Sequence, residues 1–347
     1  VLDTDTDGVT SGAIIYRYLK DLGAKVTWVI GSGKTHGISQ FDFGHYHRGC
    51  DLIIACDSLS NEYQTYDEIV DAGIDLILLD HHGADPYPHV NVITVNSENF
   101  GYPNPTLSGA GVAYKFCQAY DNTFDFNFAE KYVDLAACGI IADVSDLTSL
   151  ENRSICYRGF RNLQNPGLKQ ILNGYRFDAQ ACAFSIATIV NACNRLNKNI
   201  LAAALLISDD EQDLKSFHKK ALGVKAQQDE IYQEELTRFN IQNLDGSLEH
   251  DKFTYFITDY PTLTGYIAQK LAELTHKPAI VLAKINDEYA GSIRSYNLKN
   301  FRDLCSNTYG NAQGHHEAAG IRIWDLDNFL NKLDQKLSSI LLGNTTV

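Results

Sequence analysis

The stretch LILLDHHG at residues 76–83 joins four apolar residues to an acid, two histidines and a glycine. The apolar run predicts a buried strand, and ligands bind parallel sheets at the carboxyl ends of their strands. An acid and two histidines at such an end therefore indicate a catalytic or metal site. Two further hydrophobic segments lead into acids in the same way, at Asp57 and in the acid-rich turn DTDTDG at residues 3–8.

Segments typical of strands and helices alternate around this stretch. The hydrophobic pattern predicts strands at residues 25–30, 51–56, 75–79 and 90–95, and helices at residues 8–22, 61–72 and 108–120. Such alternation is typical of βαβ units. We therefore expect an α/β fold with a doubly wound, mostly parallel sheet.

The second half of the chain has a different pattern. From residue 126 onward it becomes helical, and residues 210–239 form a long charged segment with one apolar side. The polar segment 240–251 follows, and a smaller α/β unit begins at residue 253. The sequence thus predicts a catalytic domain at residues 1–207, a connector helix and linker at 208–251, and a substrate-binding domain at 252–347.

The composition is that of a globular protein with reduced cysteines. The 347 residues carry a net charge of −14, which argues against non-specific coating of nucleic acid but allows a local groove for a phosphate chain. Eight cysteines without a CxxC pair indicate a cytoplasmic location, and no apolar run predicts a membrane span or a signal segment. Because Val1 stands so close to the acid-rich turn, we expect that residues are missing upstream.

Carboxylates with one or two imidazoles suit Mn²⁺ or Mg²⁺ better than metals that prefer thiolates. Two such ions can share a hydroxide and direct it at a phosphorus atom, and Asp57, alone at its strand end, is the natural bridging ligand. Each acid has a structural alternative: residues 3–8 as a solvated turn, Asp57 as a helix N-cap, Asp143 as an exposed acid. Acids at several element ends together with a histidine pair favour the metal site.

The same residues resemble a known family. The acid-rich turn, Asp57, the DHH triplet at residues 80–82 and Ala142-Asp143 resemble the four ordered motifs of the DHH phosphoesterase superfamily. GHHEAAG at residues 314–320 resembles the GHxxAxG signature of the DHH-associated domain. Within the superfamily the chain is similar to the RecJ single-strand exonucleases. That narrower similarity rests on LSGAGVA at residues 107–113, ENR at 151–153 and VNACNR at 190–195.

The resemblance implies roles for individual residues. It implies that His82 acts on the scissile phosphate as an acid or electrostatic stabiliser, and that Asp80 orients an imidazole. For Arg153 and Arg195, a salt bridge between helices is an equally good interpretation. The implied metal ligands are Asp3, Asp5, Asp7, Asp57, His81 and Asp143, with Asp3 the weaker candidate. The implied substrate-binding residues are Arg153, Arg195, Arg294, Ser295, Gly314 and His315.

The resemblance also implies an activity. It predicts a hydrolase with two divalent ions, Mn²⁺ before Mg²⁺, that acts as a single-strand-specific exonuclease in DNA repair and recombination. The expected partner is single-stranded nucleic acid, with DNA favoured and 5′ to 3′ polarity. One alternative is a phosphodiesterase of short oligonucleotides or cyclic dinucleotides. Another is a catalytically silent replication scaffold, which the presence of every expected acid and both histidines disfavours.

Overall fold

The computed structural model describes residues 1–32, 49–58, 61–83, 92–99, 101–243 and 252–343. The contacts divide the chain into two units, Val1–Gln227 and Gln228–Val347. One helix, α10 (Glu211–Gln242), has residues in both units. Residues 244–251 of the predicted linker lie outside the described residues.

Unit 1 is built from short parallel strands and many helices. Its elements before residue 125 are α1 (Thr6–Asp21), β1 (Leu52–Cys56), α2 (Tyr63–Asp71), β2 (Asp75–Asp80), β3 (Ile93–Asn96) and α3 (Gly109–Phe124). They are followed by a 3₁₀ turn (Ala129–Tyr132), α4 (Val133–Ala142), α5 (Leu150–Gly159), α6 (Pro166–Leu172), α7 (Ala179–Ala181), a π-helical turn (Cys182–Ile186), α8 (Ala187–Arg195) and α9 (Asn199–Ile207).

The strands of unit 1 form a parallel sheet in the order β1-β2-β3. Leu2 extends this sheet beyond β1, because it forms parallel bridges with both Cys56 and Ile30. The strand predicted at residues 25–30 is not formed as a regular strand, and within this range only Ile30 forms a β-bridge. The first two residues of the strand predicted at 90–95 lie outside the described part of the chain.

Helices cover both faces of this sheet, as the alternation of side chains along its strands requires. Ile54, Cys56 and Leu79 point to the face covered by the larger core, to which α1, α3 and α4 contribute. Ala55 and Leu78 point to the opposite face, where they meet side chains of α2. The predicted α/β class with a mostly parallel, doubly wound sheet is confirmed.

Unit 2 is a smaller α/β unit with a mixed sheet. Its elements are β4 (Thr254–Ile257), a 3₁₀ turn (Pro261–Leu263), α11 (Thr264–Thr275), β5 (Ala279–Ile285), β6 (Glu288–Arg294), α12 (Phe301–Cys305), β7 (Gly310–Gly314), β8 (Ala318–Ile323) and α13 (Leu326–Gly343). The strands lie in the order β4-β5-β6-β8-β7, and only β4 and β5 pair in parallel. Its core contains Phe253, Phe301 and Phe329.

The structure shows the state of the cysteines and the length and hydropathy of the helices. All eight cysteines are free thiols, and all except the half-buried Cys50 are buried. Among the described helices, none is both long and apolar enough to cross a membrane.

Candidate metal centre

The parallel register brings three acids to one edge of the first sheet. Leu2 pairs with Cys56, and Cys56 pairs with Leu79. Leu2, Cys56 and Leu79 are therefore neighbours across the sheet. Each is followed by an aspartate at the carboxyl end of its strand: Asp3, Asp57 and Asp80. All three side chains are buried, with at most 2% exposed. Their convergence follows directly from strand pairing.

The start of α1 supplies two more carboxylates. Asp5 is the N-cap of α1 and accepts a hydrogen bond from the N–H of Gly8 at 3.0 Å. Asp7 accepts hydrogen bonds from the N–H groups of Gly109 (2.6 Å) and Ala110 (3.0 Å), which begin α3. The buried charge of Asp7 thus lies at the positive end of a second helix dipole. These bonds fix the orientation of its carboxylate.

His81 lies between the acids. Its Nε2 is 3.2 Å from Oδ1 of Asp57 and 3.7 Å from Oδ2 of Asp7. Three overlapping groups have ligand atoms within 4.8 Å of one another: Asp3, Asp5 and Asp57; Asp57, His81 and His82; Asp7, His81 and Asp143. Asp57 and His81 each belong to two groups. All six residues predicted as metal ligands therefore lie in one connected cluster, and their ligand role remains a prediction.

Asp57 provides the test of whether a cation fits this cluster. Its Oδ1 is buried and accepts no hydrogen bond from any described residue. A Cβ atom on Gly109 would lie 2.4 Å from this oxygen, so the glycine keeps the space beside it open. Burial and the neighbouring acids, Asp7 first, raise the pKa of Asp57 well above its usual range. A divalent cation would satisfy the oxygen and offset the repulsion, so the residues fit a metal.

The same electrostatics apply to the other members of the cluster. Burial, together with Asp143 and Asp5, raises the pKa of Asp7 well above its usual range. Burial lowers the pKa of His81, which favours the neutral imidazole that binds metals. Asp143 is the exposed C-cap of α4 and lies at the negative end of that helix. Helix C-termini disfavour anions, so a bound cation would also stabilise Asp143.

Asp80 and His82 form a pair beside the cluster. Oδ1 of Asp80 accepts hydrogen bonds from the N–H groups of His81 (2.7 Å) and His82 (3.2 Å) and lies 2.8 Å from Nδ1 of His82. This contact raises the pKa of His82 to about 9. Asn96, paired with Asp80 across the sheet, donates to the carbonyl oxygen of His82 at 2.9 Å. The imidazole that Asp80 holds is thus that of His82, whose side chain is 53% exposed.

The predicted substrate-binding arginines of unit 1 occupy different helices. Arg153 is exposed on α5, and no described residue forms an ion pair with it. Arg195 lies in the last turn of α8. Two asparagines of α8 contact the acid-rich turn: Asn191 accepts from the hydroxyl of Thr6 at 3.0 Å, and Asn194 contacts the hydroxyl of Thr4 at 3.4 Å. The VNACNR segment therefore packs beside the cluster.

In unit 2, the predicted substrate residues gather at one edge of the second sheet. Arg294 ends β6 opposite Ala318, and Gly314 ends β7 opposite Ala319. The N–H of Ser295 donates to the carbonyl of Glu317 at 2.7 Å, and the Ser295 hydroxyl closes a turn with Leu298. The exposed His315 donates its N–H to Ala318 at 3.1 Å. Their roles in binding substrate remain predictions.

Two features of the site were missed by sequence reasoning. The sequence predicts a helix at residues 108–120 but assigns no role to its glycine-rich start, whereas the amides of Gly109 and Ala110 bind Asp7 and Gly109 leaves room for Asp57. Paired glycines after Ser108 were the available signal, since a glycine allows close approach of another group. Asn152 of the ENR segment was not predicted either, although it is completely buried.

The protein has a parallel α/β domain with a cluster of aspartates and histidines at the carboxyl ends of its strands. A small mixed α/β unit follows this domain. The combination defines the class of two-domain α/β proteins with a candidate metal centre. Residues 1–140 match the N-terminal domain of the DHH family, and residues 261–339 match the DHHA1 domain. The chain thus contains a match to the DHH N-terminal domain followed by a match to the DHHA1 domain. This confirms the resemblance inferred from the motifs.

Its relatives include a putative SPbeta prophage-derived single-strand DNA-specific exonuclease, YorK of Bacillus subtilis (strain 168). YorK is 30% identical over 361 residues, which cover 93% of this chain and 62% of that protein. The single-stranded-DNA-specific exonuclease RecJ of the same organism is 29% identical over 350 residues, covering 92% and 43%. The chain therefore spans less than two thirds of the length of either relative.

The fold also matches a solved structure. The crystal structure of RecJ in complex with Mn²⁺ from Thermus thermophilus superimposes with a TM-score of 0.80 at 24% identity. The match covers 97% of this chain and 51% of that one. The DHH and DHHA1 architecture predicted from the sequence is thus confirmed at the level of the fold.

Proposed function

We propose that this protein is a metal-dependent phosphodiesterase that removes nucleotides from single-stranded DNA, with 5′ to 3′ polarity. The observation that carries the proposal is the carboxylate of Asp57. It is buried in a cluster of acids, its Oδ1 has no hydrogen-bond donor among the described residues, and it belongs to two of the three ligand groups. The names of the curated relatives and the Mn²⁺ complex of RecJ support the choice of reaction.

The cluster offers carboxylate oxygens and imidazole nitrogen, which favour Mn²⁺ and also accept Mg²⁺. Asp57 would bridge two ions, with Asp3, Asp5, Asp7, His81 and Asp143 as further ligands. When bound, the ions supply an activated water and neutralise charge on a phosphate. The start of α3 holds Asp7 in place through two backbone amides, so this ligand needs no reorientation when a cation arrives.

His82 has the properties of an acid or electrostatic stabiliser. A pKa of about 9 keeps its imidazole protonated at neutral pH, because Asp80 stabilises the charged form. Asp80 occupies Nδ1, which leaves Nε2 of the half-exposed ring for a phosphate oxygen or a leaving group. His82 would therefore donate a proton or a hydrogen bond to the substrate, and Asp80 would keep its ring oriented.

Arg294 is the strongest candidate for holding a substrate phosphate. Its guanidinium is largely buried, and burial lowers its pKa. Nη1 donates to the carbonyl of Ile293 at 2.8 Å, and the described residues provide no carboxylate partner. A buried guanidinium without a counter-ion favours an anionic ligand. Gly314 and His315, at the same sheet edge, would contribute backbone N–H and imidazole contacts.

The test is a length series of single-stranded oligonucleotides labelled at either end and incubated with Mn²⁺, Mg²⁺ or EDTA. We expect mononucleotides to be released from the 5′ end of long strands, with no release in EDTA and no cleavage of duplex DNA. Release only from dinucleotides or cyclic dinucleotides would replace the proposal with the short-substrate alternative. No metal-dependent cleavage of any substrate would favour a silent scaffold.

A further inference from the structure

Asn152 lies in the first turn of α5, and the proposed mechanism does not use it. Its side chain is completely buried. Nδ2 donates to the carbonyl oxygens of Thr106 and Asp146, both at 2.9 Å. Oδ1 accepts a hydrogen bond from Asn104, also at 2.9 Å. One amide group therefore connects the loop before α3 to the loop before α5.

Each of these loops leads to the candidate metal centre. Three residues after Thr106, the amide of Gly109 binds the carboxylate of Asp7. Three residues before Asp146 is the candidate ligand Asp143, whose Oδ2 accepts a hydrogen bond from the hydroxyl of Ser145 at 2.9 Å. By holding the two carbonyl groups, Asn152 therefore fixes how closely the segment that carries Gly109 and the segment that carries Asp143 approach each other. Asp7 and Asp143 belong to the same ligand group with His81.

Glu151 strengthens the same connection from the preceding position. Its carboxylate accepts hydrogen bonds from the hydroxyl of Tyr102 (2.8 Å) and from Nδ2 of Asn104 (3.2 Å), and it lies 3.1 Å from Nζ of Lys115 on α3. Asn104 in turn accepts bonds from the backbone and hydroxyl of Thr106. The loop that precedes α3 is thus tied to the first turn of α5.

We propose that Asn152, supported by Glu151, is a positioning residue that sets the spacing between Asp7 and Asp143 and thereby the metal affinity of the centre. The two residues act through the loops that they hold. Arg153, the third residue of the segment, is exposed. The ENR segment thus divides into two positioning residues and one outward cation. This inference rests on the proposed function, because it concerns the same metal centre.

The test compares Mn²⁺ binding with folding stability in two variants. Asn152→Ala removes both bonds to the loop carbonyls. Asn165→Ala is the matched control, because Asn165 is also buried and bonds to Leu206 and Leu168 at 2.9 Å, neither of which is a candidate ligand. Mn²⁺ dissociation constants are measured by calorimetry on the full chain, and unfolding midpoints in EDTA by circular dichroism.

We expect Asn152→Ala to weaken Mn²⁺ binding about tenfold or more, the range typical of residues that orient metal ligands. Hydrolysis by this variant should recover as Mn²⁺ is raised. Asn165→Ala should lower the unfolding midpoint comparably and leave the Mn²⁺ dissociation constant within about twofold of wild type. If Asn152→Ala does not fold, Asn104→Ala provides the test, because it removes the bonds that connect Asn152 and Glu151 to Asn104 and Thr106. It should weaken Mn²⁺ binding in the same direction but by less, since both donors of Asn152 stay in place, and unchanged affinity in this folded variant would overturn the positioning role.

Unchanged Mn²⁺ affinity in the folded variant, or equal loss in Asn165→Ala, would overturn the positioning role. The failure of the proposed function has a different signature. Wild-type protein that binds Mn²⁺ with an affinity sensitive to Asn152, yet cleaves no single strand, would refute the nuclease and keep the positioning role. Wild-type protein that binds no Mn²⁺ would refute both.

Discussion

Replacement of Asp57 by asparagine separates the requirements of the metal centre from those of the fold. The substitution keeps the shape of the side chain and removes its charge. Residue 57 has a φ of 62°, in the left-handed region, where asparagine is also tolerated. The backbone should therefore be undisturbed. We expect the variant to lose hydrolysis and Mn²⁺ binding, and to become more stable than wild type when no metal is present.

The gain in stability can be estimated from the geometry. Oxygens of Asp57 and Asp7 both lie within 3.7 Å of Nε2 of His81. At a separation of roughly 6 Å and an effective dielectric of about 20, two unit charges repel each other by about 3 kcal/mol. Protonation of the raised-pKa acids relieves part of this repulsion. The expected increase in the free energy of unfolding is therefore about 1 to 3 kcal/mol at a pH of about 8.

The assay is urea unfolding followed by circular dichroism, in EDTA and in Mn²⁺. The exposed Asp51→Asn serves as control and should change stability by less than about 0.5 kcal/mol. A carboxyl group with a raised folded-state pKa contributes stability that is lost as the pH rises through that pKa. Metal-free wild type should thus lose stability as the pH rises above about 4, the usual pKa of an aspartate, and the variant should lose less. A variant less stable than wild type in EDTA would refute the electrostatic argument, and wild-type turnover would refute the bridging role.

Three further outcomes follow from the site. Asp80→Asn should lower the pKa of His82 from about 9 toward its usual value, so the alkaline limb of the pH–rate profile should move to lower pH; an unmoved limb would exclude His82 as the acid. Gly109→Ala would place a Cβ 2.4 Å from Oδ1 of Asp57, and should weaken Mn²⁺ binding at least about tenfold in calorimetry. Val144 has a φ of 58°, which strains the backbone of a residue other than glycine, and its side chain is 86% exposed. Val144→Gly should therefore raise the free energy of unfolding, measured by urea unfolding, by about 1 kcal/mol. A lower free energy of unfolding would show that the backbone at this position is not strained.

The sequence alone determined the parts of this protein that depend on local pattern. Apolar runs that end in acids located β1 and β2, and parallel pairing then brought Asp57 and Asp80 to one edge. The same pattern indicated the class of fold. The acid and histidine motifs at the ends of these runs, through their resemblance to a known family, identified the six candidate ligands. This was possible because the side-chain alternation of a strand and the direction of a parallel sheet are fixed by the backbone.

Only the tertiary structure decided which groups hold the ligands. Gly109 binds Asp7 across 102 positions of sequence, and Asn152 joins Thr106 to Asp146. It also decided which imidazole Asp80 holds, His82, and left His81 among the acids. No periodicity encodes such contacts, because they depend on how α3, α4 and α5 pack against one another. Helix packing follows from the shapes of many side chains together, and a short motif does not contain that information.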